Sequence, residues 1–225
     1  MTAAANGVAR GERRPLPRSF YARDTDAVAR ALLGAILEYE AVDGRAAGRI
    51  VETEAYLGPS DAASHAVVGL TARTRDLFGA PGTSYVYFIY GMHWCFNAVT
   101  LEPGSGAAVL VRAIEPLQGL ALMRSRRWGN TRSDARRDRD LTNGPGKLCA
   151  ALGIGGNASG LALQRPPLVI RRGRDIPDPD VVVSTRIGIT RAVDGLHRYF
   201  VRDNAFVSLA PGRPLRGREG RPSTA

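Results

Sequence analysis

The sequence predicts an α+β fold: a single mixed domain with a mostly antiparallel curved sheet, surrounding helices and a protruding β-hairpin. Runs rich in β-branched and aromatic residues alternate with turn residues along the chain, as the strands of an antiparallel sheet do. Apolar residues at helical spacing occur between some of these runs. With 44% hydrophobic residues among 225, the chain can bury a core, and no internal repeat or linker divides it.

Composition also predicts the limits of this domain. Residues 1–15 and 211–225 are rich in Gly, Pro, Arg and small side chains, which favours flexible segments at both ends. We therefore expect one folded domain over residues 16–210.

The first elements are predicted from spacing and capping. Residues 24–37 carry apolar side chains at helical spacing, with Asp24 or Thr25 as N-cap, and predict a helix. Asp43-Gly44 is a turn signal. The β-branched run at 49–56 that follows predicts a strand.

The later elements follow the same reasoning. Residues 117–127 predict a second helix. Further strands are predicted at 84–89, 93–100, 107–114, 168–171, 186–189, 198–201 and 206–209.

The charge balance points to a polyanionic partner. The formal net charge is +10, from 31 Lys and Arg against 21 Asp and Glu. Such an excess is the usual footprint of nucleic-acid binding, although a solvated basic surface gives the same composition. Lys147 is the only lysine, so a Schiff-base mechanism through a lysine side chain would have to use it.

Cysteine, histidine and hydropathy exclude several classes. Cys95 and Cys149 lie in apolar surroundings far apart in the sequence, which favours reduced buried thiols over a disulfide framework. Three histidines without metal-ligand spacing argue against a zinc site. No apolar run approaches the roughly 20 residues that span a bilayer, and the first residues lack a signal-peptide pattern. We expect a cytoplasmic protein with no metal and no membrane partner.

Two acids share one face of the predicted strand at 49–56. The period of two places Glu52, Glu54 and Tyr56 together. Two carboxylates roughly 6 to 7 Å apart could line a cleft suited to general acid–base chemistry. The alternative is an outward, solvated strand face, and spacing does not decide which glutamate matters.

Aromatic residues crowd the predicted hairpin. Tyr85 and Tyr87 share one face of its first strand, and Tyr90-Gly91 stands at its tip. A large aromatic at an exposed tip suits insertion between stacked bases. The alternative is that Tyr90 folds back onto the core.

Other polar residues have two interpretations each. His65 and Asn97 could hydrogen-bond the edge of a base or cap a turn or helix. Arg112 lies in an apolar strand and needs a carboxylate partner, which the neighbouring strand can supply. Residues 141–150 combine turn residues, a helix start and Lys147, and could hold a phosphate, although they lack a Gly-Lys-Ser/Thr ending.

Several motifs occur in one order between about Arg18 and Leu209. They are Val-Glu-Thr-Glu-Ala-Tyr-Leu-Gly-Pro at 51–59, His65, Tyr-Val-Tyr-Phe-Ile-Tyr-Gly-Met at 85–92, Cys95 with Asn97, Val-Arg-Ala-Ile-Glu-Pro at 111–116, Gly-Pro-Gly-Lys-Leu-Cys at 144–149 and Arg-Ile-Gly-Ile at 186–189. With them, the chain resembles the alkyladenine (3-methyladenine) DNA glycosylase family, the purine excision enzymes that lack a helix-hairpin-helix.

The resemblance implies roles for individual residues. Glu54 is expected to be the general base that activates water, held with Arg112 and the main-chain carbonyl of Ile187 in a hollow beneath Tyr90. Tyr90 is expected to fill the gap left in the duplex. The expected base pocket consists of Tyr56, His65 and Tyr87, with Asn97 on its floor obstructing the exocyclic amine of guanine. The expected contacts to the DNA backbone are Lys147, Arg124, Arg126 and Arg127.

The resemblance also implies the reaction. We expect a monomeric, nucleoid-associated enzyme without metal or organic cofactor, which flips and hydrolytically releases 3-methyladenine, 7-methylguanine, hypoxanthine or ethenoadenine from duplex DNA without strand cleavage. The family usually has Asn where Thr74 stands and Met where Leu77 stands, which bears on substrate range. Two other interpretations are a non-catalytic DNA-binding or architectural protein that uses Tyr90 as a wedge, and a hydrolase of free nucleosides or RNA.

Overall fold

A continuous antiparallel sheet organises the backbone. The computed structural model describes residues 14–129 and 138–208. Within these residues nine strands join one sheet in the order β3-β4-β5-β2-β1-β7-β6, with β9 paired to β2 and β8 paired to β9. The strands are β1 Ile36–Ala41, β2 Gly44–Tyr56, β3 Ser84–Ile89, β4 His93–Val99, β5 Ala108–Gln118, β6 Gln164–Arg165, β7 Leu168–Arg171, β8 Val181–Ser184 and β9 Arg198–Val201.

The predicted α+β class is confirmed. The helices of the described residues are α1 Arg18–Tyr21, α2 Thr25–Ala31, α3 Leu120–Trp128 and α4 Pro145–Leu152. The curved sheet and these helices enclose the main core. The predicted flexible ends lie outside the described residues, apart from positions 14 and 15.

Strand β2 is the centre of the sheet. Its first half pairs with β1 and its second half with β9 along one edge, while β5 follows its other edge. Register shifts against β5 on both sides of Glu52 mark irregular pairing there, which increases the local bend and re-aims side chains. The functional residues of the next section project from this irregular half.

The helix predicted at 24–37 is α2, and it is shorter than predicted. Asp24 is its N-cap, since its side chain accepts a hydrogen bond from Ala27 N at 2.9 Å. The helix ends at Ala31, however, and Ile36 begins β1. Gly34 has a φ of +86°, and its N–H donates to Ile50 O at 2.8 Å, so the chain is already turning into the sheet. Among the apolar residues that suggested more helix, Leu32 and Leu33 are buried in the turn after the helix, and Ile36 is buried as the first residue of β1.

Two late strand predictions were wrong. Residues 186–189 form a loop, and the strand lies just before them as β8. Residues 206–208 turn rather than extend, because the Asn204 side chain accepts a hydrogen bond from Phe206 N at 2.9 Å. Residue 209 lies outside the described residues.

A small second core supports the cavity described below. Its buried members are Ala66, Leu77, Tyr85, Val99 and Ala108, with Phe78 and Tyr87 packed against them. Cys95 and Cys149 are free and buried, as predicted. None of the helices in the described part of the chain has the length and apolar character that crossing a bilayer requires.

Candidate active site

Both acids of β2 are fully buried. Glu52 and Glu54 have 0% exposure, so the interpretation of this strand face as outward and solvated was wrong. The Arg112 side chain reaches them from β5, with Nε 3.0 Å from Glu52 Oε1 and Nη1 3.1 Å from Glu54 Oε2. Burial opposes the charge on Arg112, but the two carboxylates outweigh it and raise the pKa of the guanidinium.

Glu54 receives hydrogen bonds from three elements. Besides Arg112, the main-chain N–H of Ile187 donates to Oε1 at 2.7 Å, and the Tyr56 hydroxyl donates to Oε2 at 3.0 Å. The Ile187 carbonyl oxygen is 3.5 Å from Arg112 Nη1. The three groups expected to act together therefore do lie together. At 3.5 Å the last contact is at the limit of a hydrogen bond.

Glu52 has a different set of partners. It accepts from Arg112 Nε, from Arg198 Nε at 2.7 Å, and from Ser208 through its N–H at 2.6 Å and its hydroxyl at 2.7 Å. The charge of Arg198 offsets the charge of this acid. Glu52 thus fixes the Arg112 guanidinium through Nε, while Nη1 binds Glu54.

A buried ion pair fixes the loop that carries Ile187. Arg186 binds both oxygens of Asp61, and Nη1 also donates to Ala55 O at 3.0 Å. Burial opposes ionisation of the Asp61 carboxyl, but hydrogen bonds from Arg186 and two backbone N–H groups hold its pKa below the usual range. The Arg186 guanidinium also lies 4.8 Å from the centroid of the Tyr56 ring, a cation–π contact.

An aromatic cavity lies in front of these groups. It has a volume of about 120 Å³ and is partly open to solvent. Its lining residues are Tyr56, Ala63, Ser64, His65, Leu77, Tyr85, Tyr87, Asn97, Ala108, Gly188 and Ile189. The four residues predicted for the base pocket are all among them.

Glu54 and Arg112 do not line this cavity themselves. We expected both to face a common hollow, but the carboxylate lies behind the wall formed by Tyr56 and by Gly188 and Ile189. The reason is the set of hydrogen bonds that draws Ile187 and the Tyr56 hydroxyl onto the carboxylate. The expectation that Glu54 and Arg112 face the cavity was wrong, although the pairing of the two side chains was predicted correctly.

His65 is held as a neutral, oriented ring. It begins a short 3₁₀ turn, His65–Val68, which Ser64 caps through a bond from Ala66 N at 3.1 Å. Its Nδ1 is 3.0 Å from the Tyr85 hydroxyl, and its ring meets Tyr87 edge-on with centroids 4.3 Å apart. Burial, assisted by the positive charge of Arg73, lowers the pKa of His65. Near neutral pH the ring is therefore a polar, uncharged group.

The tyrosines form the rest of the cavity wall. The rings of Tyr85 and Tyr87 lie 5.5 Å apart on one face of β3, as the period of two predicted. Burial raises the pKa of Tyr87 and of Tyr56, so both stay neutral phenols. Two uncharged aromatic faces suit stacking of a nucleobase.

Asn97 and Leu77 complete the cavity. Asn97 lies in the middle of β4, 5% exposed, and its Nδ2 donates to Tyr85 O at 3.0 Å. Leu77 is one of the two positions that depart from the family pattern, and it touches the cavity directly. The other, Thr74, instead braces the loop by donating to Gly69 O at 2.8 Å.

The hairpin tip is exposed. Tyr90 is 77% exposed with a φ of +55°, and Gly91 follows with a φ of +69°. The interpretation that Tyr90 folds back onto the core was therefore wrong. A positive φ on a bulky residue is uncommon, and such strain is typical of functional positions.

The basic residues predicted to meet DNA already have partners within the protein. Arg124 pairs with Asp138, and Arg127 donates to Asp140 O. Arg126 binds both oxygens of Asp43 and also Gly44 O and Ala151 O, with only 9% of its side chain exposed. Arg126 therefore ties α3 to the β1–β2 turn, which leaves little of its head group for a phosphate. Among the other arginines of residues 124–139, Arg139 is exposed, and those within 130–137 lie outside the described residues.

Lys147 lies on the first turn of α4. Its Nζ is 2.7 Å from Asn143 Oδ1 and 3.6 Å from Asp140, and its side chain is 40% exposed. Gly146 packs against His93, beside the tip of the hairpin. The helix start and the hairpin therefore belong to one face of the molecule.

Sequence reasoning missed the supporting residues. We predicted no functional role from the sequence for Asp61, Arg186, Arg198 or Glu52. Glu52, Arg186 and Arg198 are charged residues in predicted strands, which itself signals a buried pair, whereas Asp61 lies in a loop and gave no such signal. Within residues 14–129 and 138–208, no three His, Cys, Asp or Glu side chains gather as metal ligands would.

Comparison with known proteins identifies the family of the chain. The profile of the family described as methylpurine-DNA glycosylase (MPG) matches residues 19–205. A relative from Salinibacter ruber is 49% identical over 87% of this chain and 97% of its own, and one from Myxococcus xanthus is 48% identical over 87% and 94%. One from Methanoculleus marisnigri is 44% identical over 86% and 98%. All three bear the name "Putative 3-methyladenine DNA glycosylase".

The fold, the site and these relatives together define the class: a DNA glycosylase, an enzyme that acts on damaged bases in DNA repair. The chain belongs to the methylpurine-DNA glycosylase family.

Proposed function

We propose that this glycosylase flips alkylated or deaminated purines out of duplex DNA and releases them by hydrolysis, without cutting the strand. The proposed substrates are 3-methyladenine, 7-methylguanine, hypoxanthine and ethenoadenine. The observation that carries the proposal is the grouping of buried Glu54 and Arg112 with the Ile187 main chain directly behind an aromatic cavity.

Recognition follows from the cavity wall. Extruding a nucleotide costs a few kcal/mol, and least for a damaged or mispaired base. Stacking on Tyr56 and Tyr87 returns about 1 to 3 kcal/mol per base, and the electron-rich faces of the rings attract a cationic alkylated purine. The exposed Tyr90 occupies the gap in the duplex and slows return of the base.

Hydrolysis follows from the groups behind the wall. Cleaving the bond between purine and deoxyribose builds positive charge on the sugar, which a nearby carboxylate stabilises, by analogy with glycoside hydrolysis. Glu54 takes a proton from a water held with Arg112 and the Ile187 carbonyl. Positioned base catalysis of this kind contributes about 10² to 10⁴-fold.

The strand stays intact because no lysine side chain lines the cavity, where it could attack the sugar. Lys147 is the only lysine of the chain, and its ammonium lies against Asn143 and Asp140. We propose that it contacts a phosphate.

The main rival is a non-catalytic DNA-binding protein that uses Tyr90 only as a wedge. A binder has no use for two buried acids on one arginine behind an aromatic cavity, because burying charge is costly even when it is paired. This arrangement favours the enzyme.

The test is an excision assay with defined lesions. Purified protein is incubated with four duplexes, each bearing one of the proposed bases, in EDTA, and free base is measured by chromatography. We expect base release that leaves an alkali-labile, uncut strand. Absence of release from all four, or borohydride trapping of a Lys147 adduct, would contradict the proposal.

A further inference from the structure

The Tyr56 hydroxyl makes a contact that stacking does not need. Its ring lines the cavity, and a phenyl ring would offer a base the same surface. The hydroxyl points instead to the acid behind the wall, donating to Glu54 Oε2 at 3.0 Å. This residue therefore belongs both to the cavity and to the group behind it.

The contact completes the hydrogen bonding of a buried carboxylate. A carboxylate offers about four acceptor positions, and Glu54, at 0% exposure, receives three protein donors. Arg112 comes from β5 and Ile187 from the loop after β8, while Tyr56 comes from the cavity side. The Tyr56 hydroxyl is thus the cavity-facing restraint on the carboxylate, and about one acceptor position is left for water.

Tyr56 is itself held firmly. It lies two residues after Glu54 on β2, so both side chains project to the same face. The Arg186 guanidinium, anchored by Asp61, covers the ring at 4.8 Å. Burial and the negative charge of Glu54 raise the pKa of Tyr56, so the phenol remains a proton donor to the carboxylate.

We propose that the Tyr56 hydroxyl is a positioning group for Glu54, fixing the carboxylate toward the reacting water independently of the stacking role of the ring. This inference rests on the proposed function. The hydroxyl and the ring of Tyr56 then have separate roles, and the hydroxyl can be removed while the ring is kept.

The test is Tyr56→Phe, which removes the hydroxyl and keeps the ring. Single-turnover base release is measured at saturating protein, and affinity is measured for the same lesion duplex. We expect release about 10- to 100-fold slower, the range for losing a hydrogen bond to a charged group, with a Kd within about twofold of wild type. The matched control is Tyr199→Phe, whose hydroxyl also donates to a carboxylate, Asp26 at 2.9 Å, outside the cavity. The control should release base at the wild-type rate.

A second comparison shows whether the hydroxyl acts through Glu54. Tyr56→Phe is added to Glu54→Gln, where position 54 carries no charge that could lose a donor. We expect the double variant to release base at the same rate as Glu54→Gln, because effects of groups acting through one another are not additive. A further loss as large as that in wild type would show an independent role.

The outcomes separate this inference from the proposed function. A wild-type enzyme that releases no base overturns the proposed function. A wild-type enzyme that releases base while Tyr56→Phe keeps its rate, or exceeds it, overturns the positioning role alone. A thermal unfolding midpoint is measured for each variant, so that rates of base release are compared only among variants that are folded at the assay temperature.

Discussion

Glu52 and Glu54 are like residues on one strand with different tasks. Glu52 is bound by Arg112, Arg198 and Ser208, so its charge is used to hold other side chains. Glu54 shares Arg112 but is otherwise bound by the two groups next to the cavity, Tyr56 and Ile187. The chemical difference between them therefore comes from their neighbours and not from their type.

At the same scale, Asn97 is expected to set selectivity. Its side chain lies in the cavity wall, where an exocyclic amine on guanine would compete for space. We expect Asn97→Ala to raise the release of guanine relative to hypoxanthine by about 10-fold, the value of roughly one steric or hydrogen-bonding contact. The measurement is the ratio of the two rates from one preparation, which does not depend on how much protein is folded. An unchanged ratio would remove Asn97 from substrate selection.

Among the elements, the β3–β4 hairpin combines a buried stem with an exposed tip. Its stem carries Tyr85, Tyr87 and Asn97 into the cavity, and its tip presents Tyr90 to solvent. One element thus fixes the distance between the aromatic cavity and the tip, as precise placement of a site requires.

We expect Tyr90→Ala to weaken capture of the flipped base without destabilising the fold. The side chain is 77% exposed, so little packing is lost. Affinity for a lesion duplex should fall about 10-fold, corresponding to roughly 1 to 3 kcal/mol of stacking. The matched control is Val42→Ala, an apolar residue fully exposed at the β1–β2 turn, which should bind as wild type does. Equal binding by both variants would make the tip structural.

The loop after β8 depends on the Asp61–Arg186 pair. Both side chains are buried, with 4% and 1% exposure. Removing one partner of a buried pair leaves an uncompensated charge, so Asp61→Asn should lower the free energy of unfolding by about 3 kcal/mol. Asp178→Asn, which removes an exposed partner of Arg30, should cost less than about 1 kcal/mol. Urea unfolding at pH 7 measures both.

The same pair predicts a pH dependence. The pKa of Asp61 is depressed in the folded protein, whereas an unfolded Asp titrates near 3.9. Its contribution is therefore fully present above about pH 4 and is lost as the pH falls through the lower folded pKa. The stability gap between wild type and Asp61→Asn should shrink in this acid window. A gap that stays constant down to pH 2 would contradict the assignment.

Sequence patterns predicted the elements that local periodicity controls. The strand at 84–89 and the pairing of Arg112 with a neighbouring acid follow from alternation and from the cost of an unpaired buried charge. The helix end at Ala31 did not follow, because Gly34 turns the chain to meet Ile50, a partner distant in sequence. The loop at 186–189 reads as a strand for a similar reason: its conformation is set by contacts to Glu54 and Asp61.

For the whole molecule, the +10 charge predicts salt-dependent DNA binding. Much of the arginine charge near α3 is already balanced by Asp43 and Asp138, so fewer cations are free for phosphate than the 31 basic residues of the sequence. We expect the slope of log K against log salt to be shallower than the full charge would give.

Lys147 provides a specific test of this surface. If it contacts one phosphate, Lys147→Gln should reduce the slope of log K against log salt by about 0.9, for lesion and undamaged duplex alike. The rate of base release at saturating protein should not change. A control is Arg45→Gln, which removes an exposed partner of Glu40 on the β1–β2 hairpin. The same slope for Lys147→Gln and wild type would exclude the contact.

The central proposal is that the buried carboxylate of Glu54 drives hydrolysis of the glycosidic bond to a base held in the aromatic cavity. Its most direct test is single-turnover base release from a lesion duplex, in EDTA, by wild type, Glu54→Gln and the exposed control Glu40→Gln. We predict that Glu54→Gln binds the duplex as wild type does but releases base at least about 100-fold more slowly, while Glu40→Gln matches wild type. Release by Glu54→Gln at the wild-type rate would contradict the account.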